Sequence, residues 1–430
     1  MSVETGFWGI AALLVLLALR VPVALSLIVV SFGGIAAMLG VTPALGILSN
    51  TPYSFAASWT LSAVPMFLLM GFVAYHAQLT AGLFDAAKAL LRRLPGALAI
   101  ASIFACSAFA AVCGSSLATA ASMGRIAIPE MLRAGYSPTL AAGSIAAGGT
   151  IGALIPPSIL MIIYGVFAET SITAVFLGGI SVGVLTAVSY ALVVLAFAWA
   201  RPDMVPRRPI EEDEIGAVEA LRRVWPVLVL IAIVFGGLFS GFFTATEAGA
   251  VGAAGSILIS TAVGRLTRTA IRDALLETLT TTTSLLIIGI GAAMFTRFLG
   301  LTGLSGFLSA QVQAADIGYG ELMFIVVLVY LALGMFMEPF GALLVTLPVF
   351  IPILNAEGIS LIWFGVLVVK LLEIGMITPP VGLNVFVIRN VAQDQVTTLQ
   401  VFRGVAPFFL ADLAVTALII AVPSLVLWLT

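Results

Sequence analysis

Charged side chains are scarce in this sequence. Only 9% of its 430 residues are Asp, Glu, Lys or Arg, whereas 61% are hydrophobic. Soluble domains are about one-quarter charged, so the composition predicts a polytopic membrane protein without a large soluble domain. The formal net charge is −2, and no basic stretch is interleaved with aromatic residues. These two features exclude a nucleic-acid-binding protein.

Residues that bind metals or act as nucleophiles are also few. Cys106 and Cys113 lie in one apolar segment without a zinc-like spacing, and His76 is the only histidine. We interpret the cysteines as small buried residues and His76 as a residue at the end of a span. Intramembrane proteases need a Ser-His pair, paired aspartates or a zinc motif. Because the sequence has none of these patterns, we predict that the protein is not an enzyme.

Apolar segments close to the roughly 20 residues needed to cross a bilayer recur along the whole chain. We predict spans at residues 7–19, 22–40, 61–79, 139–164, 172–199, 225–240, 245–263, 278–298, 361–388 and 402–428. Two further apolar regions, 97–128 and 322–354, are interrupted by clusters at 113–116 and 337–341. Each should form a re-entrant hairpin with its tip at mid-membrane depth, because each arm is only about half to two-thirds of a span.

The basic residues indicate an orientation for these spans. If the N-terminus is outside, every Lys and Arg except Arg297 and Lys370 lies in or near a cytoplasmic loop, as the positive-inside rule requires. The first hairpin then enters from the cytoplasm and the second from outside. The polar stretch 201–223, which carries the acidic run 211–214, is interpreted as a cytoplasmic linker.

The linker separates two related halves, residues 1–200 and 224–430. Helix-breaking residues recur at a constant offset in the two halves, for example Pro156 and Pro379 (379 − 156 = 223), and such an offset marks an internal repeat. Each half has five spans and one hairpin, so the second copy is inverted relative to the first. We therefore predict an all-α polytopic membrane fold of two inverted repeats, which is typical of secondary transporters.

Each half also contains a helix that cannot run continuously. Glycine and proline interrupt the segments 149–157 and 375–382, and we expect these breaks to meet the hairpin tips at 114–116 and 338–341. Carbonyl groups at helix C-terminal ends suit a hard cation such as Na⁺, whereas helix N-terminal ends and hydroxyl donors suit an anionic substrate. The alternative is that these residues only permit close packing, which explains the duplication less well.

Several motifs around these breaks resemble a known family. The runs Gly114-Ser-Ser-Leu-Ala-Thr-Ala, Ile128-Pro-Glu-Met-Leu-Arg-Ala-Gly-Tyr136, Gly152-Ala-Leu-Ile-Pro-Pro-Ser158 and Ile374-Gly-Met-Ile-Thr-Pro-Pro-Val-Gly-Leu-Asn384 are similar to the large membrane subunit of tripartite ATP-independent periplasmic (TRAP) transporters. The resemblance covers essentially the full length. It implies an elevator-type carrier of the bacterial inner membrane, in which Na⁺ drives uptake of an organic acid. It further implies two partners, a periplasmic substrate-binding protein and a small four-helix membrane subunit.

The resemblance also implies binding sites for two or more Na⁺ ions and for the acid. The first sodium site would consist of Ser115, Ser116, Gly149, Gly152, Ile155 and Pro156. The second would consist of Gly334, Gly341, Gly375, Thr378 and Pro379. The substrate would lie between the hairpin tips, near Ser116, Thr150 and Gly341.

Two charged positions depart from the family pattern. Lys370 stands where the family usually has asparagine, and Glu338 stands where it commonly has aspartate. Glu373 follows Lys370 by three residues and shares its helix face, and charges inside membranes tend to be paired. We therefore predict a buried Lys370–Glu373 pair, which either steadies the broken helix or takes part in coupling.

The sequence is also compatible with two other functions. The first is a self-sufficient sodium- or proton-coupled organic anion carrier of the same fold, which would need no binding protein. The second is a passive channel, although two opposed hairpins beside broken helices suit occlusion of a substrate better than an open pore.

Overall fold

The computed structural model describes residues 3–206 and 216–430. Every regular element in these ranges is helical, and neither range contains a β-strand. The all-α fold class predicted from the sequence is thus confirmed. Residues 207–215, in the middle of the predicted linker, lie outside the described part of the chain. Residues 217–223 of that predicted linker belong to a helix.

The described residues 3–206 form ten α-helices and two short 3₁₀ turns. They are α1 (Val3–Ala18), α2 (Val23–Leu39), α3 (Val41–Ala56), a turn (Trp59–Ser62), α4 (Ala63–His76), α5 (Leu83–Leu91), α6 (Ala97–Cys113), α7 (Ser116–Arg133), α8 (Pro138–Thr150), a turn (Ile151–Ala153), α9 (Ile159–Phe167) and α10 (Ile172–Ala200).

Residues 216–430, the second described range, also form ten α-helices, with one 3₁₀ turn. They are α11 (Ala217–Phe239), α12 (Ala245–Ala262), α13 (Arg268–Thr302), α14 (Leu304–Ala314), α15 (Tyr319–Phe336), α16 (Pro339–Ala356), α17 (Leu361–Gly375), α18 (Leu383–Ala392), a turn (Gln393–Gln395), α19 (Thr398–Ala421) and α20 (Ser424–Leu427).

Seven helical segments in the described ranges are long and apolar enough to cross a membrane. Each predicted span coincides with a helix or with a pair of helices flanking a break, whereas the short helices α3, α5 and α14 were not predicted. The two predicted hairpins are the pairs α6–α7 and α15–α16. Their arms have 17 or 18 residues, longer than the half to two-thirds of a span that was expected, so the mid-membrane depth of their tips stays a prediction.

Side-chain caps fix where several helices begin. Ser115, Ser137 and Ser158 accept hydrogen bonds from the backbone amides of Ala118, Leu140 and Met161, which starts α7, α8 and α9. Thr244 and Glu247 form a reciprocal capping box at the start of α12. Because these hydrogen bonds are local, the cap residues can be recognised in the sequence.

The two halves interlock rather than lie side by side. Helices α7 and α8 of the first half pack against α18 and α19 of the second, and α10 packs against α17 and α19. A second group of packed helices is formed by α2, α4, α12 and α13. Both broken helices, α8–α9 and α17–α18, therefore lie within one bundle, with α13 and α4 beside it.

Candidate functional site

The first hairpin tip rests directly on the first helix break. Gly114 has φ +63° and lies so close to the Pro157 carbonyl that a side chain would collide with it. A Cβ on Gly152 would lie 2.9 Å from the Ser115 carbonyl oxygen and 2.8 Å from the Thr119 hydroxyl. Backbone thus packs on backbone, as expected from the sequence. This close approach is possible only because both positions are glycine.

The first break extends from the end of α8 at Thr150 to the start of α9 at Ile159. A 3₁₀ turn follows α8, and the Pro156–Pro157 bond is cis. The proline rings cannot donate backbone hydrogen bonds, so the carbonyls of Gly152 and Ala153, four residues earlier, lose the donors that a continuous helix would supply. Gly149, at the end of α8, faces the tip: a Cβ there would lie 3.3 Å from the Ser116 carbonyl oxygen.

The second break has the same character, but the second hairpin meets it differently from the prediction. Gly334, at the end of α15, packs on Gly375: a Cβ on Gly375 would lie 2.5 Å from the carbonyl carbon of Gly334. Gly341, near the second tip, instead faces the side chain of Val23 in α2. The hydroxyl of Thr378 donates to the Ile374 carbonyl, 2.6 Å away. The Pro379–Pro380 bond is also cis.

A hydrogen bond joins the first tip to the second broken helix. The Ser116 hydroxyl donates to Oε1 of Glu373 over 2.6 Å. Glu373 is 1% exposed, and its other carboxylate oxygen has no hydrogen-bond partner. A buried carboxylate with a free oxygen is a strong acceptor for a cation or another donor.

A cavity of about 360 Å³ lies between the two hairpin tips. Among the described residues, its polar lining consists of five hydroxyl residues and two carboxylates, without a lysine or an arginine. These residues are Ser115, Ser116, Thr280, Thr281, Ser284, Glu338 and Glu373. Apolar side chains from α4, α9 and α13 complete the wall. Of the residues predicted to contact substrate, Ser116 lines this cavity, whereas Thr150 and Gly341 do not.

The wall contributed by α13 was not predicted. Thr280, Thr281 and Ser284 belong to a continuous run of hydroxyl residues, 280–284, inside an apolar helix. Hydroxyl groups inside a membrane need hydrogen-bond partners, so such a run is unusual within a span. The run could therefore have indicated that this helix faces a polar cavity. Its position opposite the hairpin tips depends on tertiary packing and could not be derived from the sequence.

The predicted partner of Lys370 is wrong. Lys370 forms an ion pair with Asp412 of α19 and donates to the hydroxyl of Thr186 in α10 over 3.0 Å. Glu373 lies on the same side of α17 but one turn nearer the break, so it reaches the hairpin tip instead. The spacing along the helix correctly indicated a shared side. It could not show which neighbouring helices supply the partners.

Thr150 belongs to the same group of side chains as Lys370. Its hydroxyl donates to the Ala147 carbonyl over 2.7 Å and lies 3.2 Å from the Tyr190 hydroxyl. Tyr190 in turn donates to Asp412 over 2.5 Å. The Ile155 side chain also faces α10, where a Cβ on Gly183 would lie 2.6 Å from its Cγ1. The side of the first break opposite the cavity is thus fixed to α10.

These features define a class of protein. A membrane-embedded helical bundle in which two broken helices and two hairpins surround a polar cavity is a membrane transport protein. The sequence matches the family described as "Tripartite ATP-independent periplasmic transporter, DctM component" over residues 10–425. The chain belongs to this family, which confirms the resemblance seen in the motifs.

Individual relatives extend this finding. The chain is 37% identical to the C4-dicarboxylate TRAP transporter large permease protein DctM of Pseudomonas aeruginosa, over 81% of this chain and 84% of that protein. It is 32% identical to the sialic acid TRAP transporter large permease protein SiaM of Vibrio cholerae, over 89% and 91% of the two chains. It is 30% identical to the isethionate TRAP transporter permease protein DctMQ of Oleidesulfovibrio alaskensis, over 95% of this chain and 64% of that protein.

A solved structure shares the fold. The Alcanivorax borkumensis YdaH transporter superposes with a TM-score of 0.64 at 19% identity, and the match covers 88% of each chain. At this identity the likeness concerns the fold alone. The relatives in sequence are transporter permeases, consistent with the prediction that the chain is not an enzyme.

Proposed function

We propose that the chain is the translocating subunit of a sodium-coupled transporter that imports an organic acid. The observation that supports this most directly is the cavity enclosed by both hairpin tips and flanked by both helix breaks. The relatives are named for C4-dicarboxylates, sialic acid and isethionate. All three substrates are acids, so an organic acid is the substrate class that we assign to this chain.

Sodium ions would occupy the two helix breaks. The last turns of α8 and α17 present carbonyls that point along the helix axis, and helix C-terminal ends carry partial negative charge. Ser115, Ser116, Gly149 and Gly152 surround the first such end, in contact with one another. Gly334, Gly375 and Thr378 surround the second. Hard cations prefer oxygen ligands, and every group in these two sets offers a carbonyl or hydroxyl oxygen.

The charge of the cavity supports coupling between cation and acid. Glu338 and Glu373 line it, and no basic side chain of the described ranges does. In their ionised forms, Glu338 and Glu373 would repel a carboxylate that enters this space. Bound Na⁺ would offset that repulsion, and the N-terminal ends of α7 and α16 at the two tips would attract the anion. Binding of the acid would therefore require binding of the ions.

We further propose an elevator movement. In this mechanism the bundle that holds both breaks moves as a unit past the group α2, α4, α12 and α13. The cavity lies where these groups meet, since α13 and α4 supply part of its wall. The chain would act in the bacterial inner membrane with its N-terminus in the periplasm. Its partners would be a small four-helix membrane subunit and a periplasmic substrate-binding protein.

Reconstitution in liposomes tests this function. We would measure uptake of labelled C4-dicarboxylates, sialic acid and isethionate by this chain alone, with the small subunit, and with both partners. We expect that at least one of these acids is taken up, and that its uptake needs both partners and an inward Na⁺ gradient. Uptake by the chain alone would support the self-sufficient carrier instead. Uptake that is equal in Na⁺ and K⁺ gradients would refute sodium coupling.

A further inference from the structure

The most completely buried ion pair in the described ranges lies outside the cavity. Lys370, Asp412, Thr186 and Tyr190 are each 0% exposed. The Lys370 ammonium contacts the Asp412 carboxylate, donates to the Thr186 hydroxyl over 3.0 Å, and lies 5.8 Å from the centre of the Tyr190 ring. None of the four residues lines the cavity between the hairpin tips.

The groups around the ammonium form a cation-binding set. They comprise one carboxylate, one hydroxyl oxygen and one aromatic face, all away from water, and the other Asp412 oxygen is held by the Tyr190 hydroxyl over 2.5 Å. A single carboxylate with hydroxyl oxygens also suits a small alkali cation. Asp412 cannot stay charged here without a neighbouring positive charge, because an unpaired buried carboxylate is very unfavourable.

We propose that this cluster is a monovalent-cation site whose occupant is the chain's own Lys370 ammonium. Lys370 acts as a tethered cation, so the position is filled at every sodium concentration. If the side chain is shortened, the site accepts a free Na⁺ ion. The site connects to the first helix break through the contact between Tyr190 and the hydroxyl of Thr150, 3.2 Å apart. The tethered charge therefore holds α10, α17 and α19 around that break whether or not sodium is bound elsewhere.

Thermal stability of the purified membrane complex tests this proposal. Melting temperatures would be measured in NaCl and in choline chloride of equal ionic strength for the wild type and Lys370→Ala. We expect Na⁺ to raise the melting temperature of Lys370→Ala by roughly 2–4 °C more than that of the wild type, because a ligand that binds only the folded state stabilises it. The increment is a difference from the wild type, so it can be read even if the wild type itself shows no sodium response.

Two control variants separate the cation site from a simple cavity. Lys370→Ala with Asp412→Asn leaves the same space without the anion, and Lys370→Met removes the charge but fills the space. Neither should gain an extra response to Na⁺. An equal gain in Lys370→Ala and in the double variant would overturn the proposal, as would no gain in Lys370→Ala.

The outcome can also be read from folding. If Lys370→Ala is recovered folded only from NaCl, the proposal is supported. If it folds in neither salt whereas the double variant folds, the proposal is refuted, because Na⁺ has then failed to compensate Asp412. If both variants fail to fold, Lys370→Asn is compared with the double variant Lys370→Asn, Asp412→Asn. An extra Na⁺-dependent rise in melting temperature that is present only with Asp412 supports the proposal, and its absence overturns it.

Discussion

Replacing Gly375 with alanine tests whether the backbone contact between α15 and α17 is needed at the second break. A Cβ at this position would lie 2.5 Å from both the Cα and the carbonyl carbon of Gly334. Ordinary carbon contacts are about 3.5–4.0 Å, so the two helices must separate by about 1 Å or more. No flexible side chain can move aside, because the obstructing atoms are backbone. We expect a cost toward the upper end of the typical overpacking range, about 3 kcal/mol.

Melting temperature and sodium dependence of uptake would be compared for Gly375→Ala and a matched variant. Gly300→Ala is the control: the residue is helical, and a Cβ there has no neighbour within 4 Å. It should be neutral or stabilise by up to about 1 kcal/mol through helix propensity. Gly375→Ala should melt several degrees lower and need more Na⁺ for half-maximal uptake. If the two variants behave alike, the contact has no role in stability or in the proposed second sodium site.

Three further substitutions probe hydrogen bonds around the site. Ser116→Ala removes the donor to buried Glu373 and should lower the free energy of unfolding by about 1–3 kcal/mol. It should also weaken stabilisation by Na⁺, so an unchanged dependence of the melting temperature on Na⁺ concentration would contradict this prediction. Tyr190→Phe removes the donor to Asp412 and should cost a similar free energy of unfolding, seen as a lower melting temperature. An unchanged melting temperature would show that the Tyr190–Asp412 hydrogen bond does not stabilise the fold. Thr244→Ala removes the α12 cap and should cost about 1 kcal/mol with no change in half-saturation by Na⁺; a changed half-saturation would mean that α12 contributes to ion binding.

Much of this architecture could be predicted because it follows from local chemistry. Two adjacent prolines close to glycines disrupt a helix, and glycine permits close approach, so the breaks at 149–157 and 375–382 were visible in the sequence. Serine and threonine caps, such as Thr244, are local in the same sense. The hairpins followed from apolar segments interrupted at 113–116 and 337–341. In each of these cases a few neighbouring residues determine the structure.

The partners of the charged side chains could not be predicted, because they come from distant helices. Ser116 and Glu373 are 257 positions apart, and Lys370 and Asp412 are 42 apart. Spacing along α17 favoured pairing of Lys370 with Glu373, yet tertiary packing gave each of them a different partner. A buried charge is satisfied by whichever group the fold brings within reach. Helical periodicity restricts the direction of a side chain but not the identity of its neighbour.

The Ser116–Glu373 hydrogen bond gives the proposed coupling a physical route. Ser116 belongs to the tip that contacts Gly149, in the proposed first sodium site, and Glu373 precedes Gly375, in the second, by two residues along α17. An ion that shifts the tip at the proposed first site would therefore displace the Glu373 carboxylate, which belongs to the second broken helix. Coupling between sites is reciprocal in free energy, so occupancy of the second site must affect the first equally. We expect this buried hydrogen bond between the two halves to let the proposed ions and the acid bind as one unit.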